Sequence, residues 1–342
     1  MFELKQLSAM DGTDIYEMLQ EIPAEENNLH NCVYGASFEA YGEFLAQREA
    51  ESKADGIIDG WKVPSTRYWL YADGRPVGFA DLRHFLTPAL KQAGGNIGYA
   101  IRPTERGKGY GKKLLELLLP EARKMGLEKV LITVLPTNTA SINVAKVNGG
   151  QLIRQTEERV YIWIPLVDYA DVKLETKDLI LKKAAFDDWE ALYRNLWRHA
   201  ESARYMLWTP VQSEEEAKER MERTIVFQRI EKYAFLVYLR KTGEPIGNAG
   251  MRDAGDKAYE ETGIALGPDF VGKGYGTQIL NALTEEAKRI GAARFLAGNR
   301  VKNEASRRLQ LSCGFSFDHL SEEKTDPRTG EKYFVENNIK IL

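Results

Sequence analysis

Gly98 to Gly111 reads GYAIRPTERGKGYG, and Gly263 to Gly276 reads GIALGPDFVGKGYG. The two stretches lie 165 residues apart and share 8 of 14 positions, where chance would give about one. Each begins as a short apolar strand, passes through a glycine-rich loop and enters an amphipathic helix. The same offset carries Asn138 to Asn303, Ser141 to Ser306 and Gly149 to Gly314. Upstream, DGRPVGFADLRH (Asp73 to His84) resembles TGEPIGNAGMRD (Thr242 to Asp253), and LKQLSAMDGTDIYEML from Leu4 echoes LKKAAFDDWEALYRNL from Leu181. A period this long is a duplicated domain, not a solenoid of short units. We therefore expect domains at 1–168 and 169–342, a division that the length of 342 residues allows at roughly 150 residues per domain.

Within each half the order of elements is the same. A short strand and helical segments come first. A hairpin follows, turning at Asp73-Gly74 in one half and Thr242-Gly243 in the other. Next come IGYAI or TGIAL as a strand, the loop, a helix, the strands KVLITVLP or RFLAGN, and a helix ended by Gly149 or Gly314. The reading is a mixed α/β domain with one central sheet flanked by helices. Pro120 falls inside the first long helix, where proline ordinarily kinks or breaks it.

The loop RGKGYG (Arg106 to Gly111) suits an anion. Its glycines let backbone N–H groups turn inward, and the next helix presents its positive end. Arg106, Lys108 and Lys112 add positive charge; the second copy keeps Lys273 but has Val271 in place of Arg106. Neither a Walker loop nor a Rossmann G-x-G-x-x-G fits the spacing.

This pattern of [QR]-x-x-G-x-[GA] after a strand, with N-x-x-[AS] opening the next helix, resembles the GNAT superfamily of N-acetyltransferases. Arg106, Gly109 and Gly111 match the loop, Asn138 and Ser141 the second motif. Gly274, Gly276, Asn303 and Ser306 match in the second half. That half is similar to the branch acetylating ribosomal-protein N-termini, through ARYMLWTP and NEASRRLQLSCGF. The resemblance implies a mostly antiparallel sheet with a splayed parallel strand pair, and acetyl-CoA held in the gap. By position, Ala100 and Ile101, or Ala265 and Leu266, would meet the pantetheine arm. Gly107, Lys108, Gly109, Tyr110, Gly111, Lys112 and Asn138 would hold the rest in the first half. Gly272, Lys273, Gly274, Tyr275, Gly276, Thr277 and Asn303 would do so in the second. We expect Tyr110 and Tyr275 also to pack.

The reaction implied is direct attack of a primary amine on the thioester in a ternary complex, which needs a base because only the neutral amine is nucleophilic. Glu261 is the candidate in the second half, with Glu260 on the opposite face of the strand. Its first-half counterpart, Asn96, cannot serve, and His84 is the alternative there. The tyrosine that relatives often use as acid is replaced by Ala145 and Gln310. Ser141 and Ser306, one helical turn earlier, are the nearest hydroxyls. One domain, and rather the second, is expected to be fully active. The competing reading is a tandem protein that binds acyl-CoA without turnover.

The acceptor stays open between a small amine and a protein N-terminus. Glu21, Glu25, Glu26, Glu260 and Glu261 would attract a cation if they line the acceptor side. A net charge of −3 speaks against a nucleic-acid binder. No apolar run suits a membrane span, and the first residues do not read as a signal peptide. Cys32 and Cys313 are isolated, which points to no disulfide framework and no zinc or other metal site, and to a reduced, cytoplasmic setting. A monomer with intramolecular domain pairing is expected.

Overall fold

The computed structural model describes residues 1–59 and 62–342. These form two units, Met1–Val167 and Asp168–Leu342. The first runs β1 (Phe2–Gln6), α1 (Thr13–Glu21), β2 (Glu25–Glu26), β3 (Leu29–His30), α2 (Phe38–Ser52), β4 (Ser65–Ala72), β5 (Arg75–Arg83), α3 (Pro88–Gln92), β6 (Ile97–Ile101), α4 (Tyr110–Lys124), β7 (Lys129–Val134), α5 (Thr139–Val147), β8 (Gln151–Gln155) and β9 (Val160–Pro165). The second runs β10 (Leu174–Glu175), β11 (Leu179–Lys182), α6 (Trp189–Leu192), α7 (Ala200–Ala203), α8 (Glu214–Ile230), β12 (Ala234–Leu239), β13 (Pro245–Gly255), β14 (Ala258–Glu261), β15 (Ala265–Leu266), α9 (Tyr275–Arg289), β16 (Arg294–Arg300), α10 (Glu304–Ser312), β17 (Ser316–Leu320), β18 (Lys324–Thr325), β19 (Lys332–Tyr333) and β20 (Val335–Ile341).

Strand alternation builds a core on each face of the sheet. In β4, Tyr68, Leu70 and Ala72 meet Leu114, Leu115 and Leu118 of α4. Trp69 and Tyr71, one residue out of phase, meet Ile15, Met18 and Leu19 of α1 and Tyr41 of α2. In the second unit, Phe235 and Val237 of β12 pack with Ile279, Leu280 and Leu283 of α9. Leu236 and Tyr238 pack with Leu192 and Met221 on the other side. The hairpin at Asp73-Gly74 turns with both residues at positive φ, 49° and 79°, as a tight two-residue connection requires. Pro120 lies within α4 without ending it. It and Glu116 are exposed, so water can take the carbonyl that proline leaves unpaired.

In the first unit the central sheet is parted at the splayed pair of parallel strands. There the strands divide into β1-β4-β5-β6 and β7-β9-β8. The two meet at Asn96: its N–H donates to Leu131 O at 2.7 Å, and its Oδ1 accepts from Leu131 N–H at 2.8 Å. Beyond that point β6 and β7 part. In the second unit, β14 and β16 pair in parallel from Ala258↔Arg294 to Glu260↔Leu296 and then separate after Glu261. The strand read as TGIAL is interrupted. Thr262 N–H still reaches Gly250 O, but Gly263 has φ +122°, and pairing with β13 resumes one residue out of step at Ala265↔Asn248. Glu261 therefore ends a strand rather than beginning one.

Gly95 sits at the root of the first gap with φ +63°, and a Cβ there would lie 2.4 Å from Leu131 O. Gly95→Ala is expected to destabilise the protein by about 2–4 kcal/mol, from strain at positive φ plus overpacking, read as a lower urea midpoint.

Candidate active site

The gap between β6 and β7 is a cleft of about 600 Å³, a size proper to a small-molecule site. Gly107, Gly109, Gly111, Lys112, Asn138 and Ser141 line it from one end. Ile97, Gly98, Tyr99, Ala100 and Ile101 line it along the strand. The β2–β3 hairpin, from Glu26 to His30, lines it as well.

The loop geometry is the same in both units. Gly107 and Gly109 have φ of 79° and 81°, Gly272 and Gly274 of 74° and 76°. Around all four the position of a Cβ is open space, so the backbone and not packing demands glycine. Gly109 and Gly274 head α4 and α9 without a side-chain cap, leaving the first helical N–H groups to an outside acceptor. Gly111 and Gly276 serve packing: a Cβ would meet Val144 at 3.4 Å or Leu309 at 3.1 Å on the next helix. These residues fit a pyrophosphate in each unit.

The strand end of the site differs from expectation in one detail. Arg83 N–H pairs with Asn96 O and Arg102 N–H with Val77 O, so alternation turns the backbone of Ala100 toward β5. The groups facing the gap are those of Tyr99 and Ile101. In the second unit Gly267 N–H pairs with Ile246 O, which turns Ala265 toward β13 and leaves Leu266 facing away. Leu266 O accepts from Ser202 Oγ at 3.1 Å.

Charge is also more tied down than the sequence implied. Arg106 donates through Nη1 and Nη2 to both Glu26 oxygens, at 2.8 and 2.5 Å, and through Nε to Ile101 O at 3.0 Å. Lys108 pairs with Glu105 at 2.7 Å. Lys273 lies 5.5 Å from the Phe270 ring centre. Glu21 is spent on Arg102 and Thr104, and Glu260 on Arg252 at 2.8 Å. These carboxylates are paired rather than massed for a cationic acceptor. Asn138 and Asn303 accept from Ser141 and Ser306 N–H at 3.1 and 3.2 Å, as N-caps of α5 and α10. Tyr110 packs edge-on against Phe2, and Tyr275 against the core under α9.

The two apices differ most. Asn96 is 2% exposed and bonded at both ends, its Nδ2 donating to Arg83 O at 3.3 Å. Glu261, at the equivalent position, is half-buried. Burial pushes its carboxyl up to about 7, helped by Glu260 and opposed by an N–H bond from Gly263. His84 does not join the cleft lining; its Nε2 lies 2.9 Å from Thr66 Oγ1, and burial lowers its pKa. Ser141 does, and its Oγ is 2.9 Å from the hydroxyl of Tyr99. Sequence reasoning missed Tyr99, whose only signal was a polar tip in an apolar strand matched by Ile264. It also missed His30, carried into the cleft by the hairpin and 3.6 Å from Glu25.

Residues 178–316 match the acetyltransferase (GNAT) domain, and residues 31–149 match the acetyltransferase (GNAT) family. The L-2,4-diaminobutyric acid acetyltransferase of Nocardia farcinica is 35% identical over 96 residues, 27% of this chain and 49% of its own. The chain thus spans about half the length of that curated relative. A GNAT-family acetyltransferase of Bacillus anthracis has 19% identity and a TM-score of 0.43, covering 50% of this chain and 98% of its own. An acetyltransferase of Salmonella typhimurium that modifies the N-terminal serine of a 50S ribosomal protein has 22% identity and a TM-score of 0.43, over 50% and 99%. The microcin C7 self-immunity acetyltransferase, solved with acetyl-CoA and AMP, has 23% identity and a TM-score of 0.43, over 49% and 94%. No helix among the described residues is long and apolar enough to cross a membrane.

Glu26→Gln should free Arg106 for a phosphate and tighten acetyl-CoA binding in the first cleft about two- to fivefold, the scale of a surface ion pair. Calorimetry at low salt reads it.

Proposed function

We propose, from the premise that this chain belongs to the GNAT acetyltransferase family as two such domains in tandem, that the second domain transfers the acetyl group to a primary amine while the first chiefly holds cofactor. Acetyl-CoA supplies the acetyl group as a thioester, activated toward an amine. The observation that carries the assignment is the contrast at the apex of the gap. Glu261 offers a carboxylate with a proton affinity matched to neutral pH, which is the requirement for a general base. Asn96 offers an amide, bonded through both its oxygen and its nitrogen, which cannot act as a base.

In this reading Glu261 takes the proton that the amine loses as it attacks. Ser306, which stands in the second domain where Ser141 lines the first cleft, donates a hydrogen bond where the sulfur gains charge. The loop from Gly272 to Gly276 and the head of α9 hold the pyrophosphate, and Leu266 lies beside the pantetheine arm. The acceptor is a primary amine, either a small one such as L-2,4-diaminobutyrate or the α-amine of a peptide. A specific observation favours the binding role for the first domain: its loop and cleft are complete, but Asn96 leaves its apex without a base.

Glu261→Gln tests the assignment in two ways. Acetyl transfer, screened with L-2,4-diaminobutyrate and a serine-initiated peptide, should fall about 10²–10⁴-fold, and the limb of the kcat/KM profile near pH 7 should vanish. Ionisation is needed for the base, so that limb falls as pH drops. The stability effect has the opposite sign. A carboxyl raised in the folded state stabilises when neutral, and that contribution is lost as pH rises through about 7. Glu261→Gln should thus be more stable than the native chain at pH 8, by roughly 1–3 kcal/mol, with the difference closing at pH 4. An unchanged rate and pH profile would overturn the assignment.

A further inference from the structure

The two domains fill one part of the core with opposite chemistry. Along the repeat, Val134 becomes Asn299 and Ala145 becomes Gln310. The strand registers set Ile132↔Ile162 and Val134↔Val160 against Ala297↔Asn338 and Asn299↔Glu336. Ile162 and Val160 are thus the counterparts of Asn338 and Glu336. All four first-domain residues are buried and apolar. In the second domain Asn299, Gln310 and Asn338 are 4%, 1% and 4% exposed, and they form one line of hydrogen bonds. Asn299 Nδ2 donates to Glu336 Oε2 at 3.3 Å. Asn338 Nδ2 donates to Asn299 Oδ1 at 3.1 Å and to Gln310 Oε1 at 2.7 Å. Gln310 Nε2 donates to Ser306 Oγ at 3.2 Å.

The direction of this line has a physical origin. A carboxylate only accepts, and Glu336 Oε2 accepts from Asn299 Nδ2 with Arg307 Nε 3.4 Å away on the same oxygen. Asn299 must then show its nitrogen to Glu336 and its oxygen to Asn338. Asn338 in turn gives a donor to Gln310, which leaves Gln310 a donor for Ser306. Gln310 meets one lone pair of Ser306 and offers its hydroxyl no acceptor, so the O–H of Ser306 is left to point out of the line. In the first domain no such line exists, and Ser141 shares its hydrogen with the Tyr99 hydroxyl in either direction. Burying amides costs more than burying valine, alanine and isoleucine, so a line that only filled space would be a net loss.

We propose that Gln310, Asn338 and Asn299, anchored by Glu336, are positioning residues that hold Ser306 as a hydrogen-bond donor toward the sulfur of the bound thioester. This rests on the reading of the second domain given above. No atom changes hands in it: Ser306 keeps its proton, and Glu261 takes the one the amine loses.

Coenzyme A itself, bound to the full-length chain, is the probe. Its thiolate is titrated by ultraviolet absorbance, and the first domain contributes equally to every variant. Gln310→Glu is nearly isosteric, and its ionised carboxyl would accept from Ser306 and turn the hydroxyl away. The thiolate-to-thiol ratio at fixed pH should fall about tenfold for the second-site thiol in both Gln310→Glu and Ser306→Ala, one lost hydrogen bond to the charged form. The double variant should add nothing. Copying the first-domain core, as Asn299→Val, Gln310→Ala, Glu336→Val and Asn338→Ile together, should keep or raise the melting temperature while losing the thiolate effect. A merely structural role would leave the thiol unmoved. If Ser306→Ala shifts the titration and Gln310→Glu does not, the positioning line is overturned alone. If Ser306→Ala titrates like the native chain, the reading of Ser306 as donor fails and takes the proposal with it.

Discussion

Everything in each domain turns on the place where two neighbouring strands stop pairing. Hydrogen bonds bind β14 to β16 up to Glu260, and Asn96 binds to Leu131 at the same point of the first domain. Past it, the strands keep their outer partners but lose each other. The gap exposes strand backbone that no other strand satisfies, and such groups demand a partner. The glycine loop and an uncapped helix head close one end of that gap. An extended ligand carrying a pyrophosphate would meet both demands at once.

The residue at the apex then divides the two domains. An amide can hydrogen-bond to both strands and so be buried at less cost than a carboxylate, and Asn96 does so. A carboxylate there must lose hydration, and Glu261 is correspondingly driven toward neutrality. That loss is a stability penalty which a scaffold has no reason to keep, whereas a base working near pH 7 needs it. The buried amides beneath Ser306 follow the same logic. Duplication supplies the comparison: one fold, two copies, and buried amides at the positions beneath the serine in only one of them, where the other has Val134, Ala145 and Ile162.

Much of this was legible in the residues. The repeat, the hairpins and the two loops all come from local signals: glycine spacing, strand alternation and helix-ending glycines. What was not legible depends on distant partners. Arg106 reads as a free cation until the β2–β3 hairpin brings Glu26 to it. That hairpin is two residues a side, too short for any periodicity. Ala100 reads as the pairing residue, but register with β5 gives that place to Tyr99 and Ile101. Gln310 reads as a missing tyrosine, because the strand that gives it a purpose begins 25 residues later, at Val335.

The most direct test of the account asks which cleft supports turnover. Gly109→Glu and Gly274→Glu each place a carboxylate on one loop, where the backbone is left-handed but space is open, and so repel a pyrophosphate from one domain only. Steady-state acetyl transfer should be abolished by Gly274→Glu and retained, within about threefold, by Gly109→Glu, that margin being under 1 kcal/mol of barrier. Loss of turnover with Gly109→Glu and its survival with Gly274→Glu would contradict the account, since the chemistry would then lie in the domain that has no base at its apex.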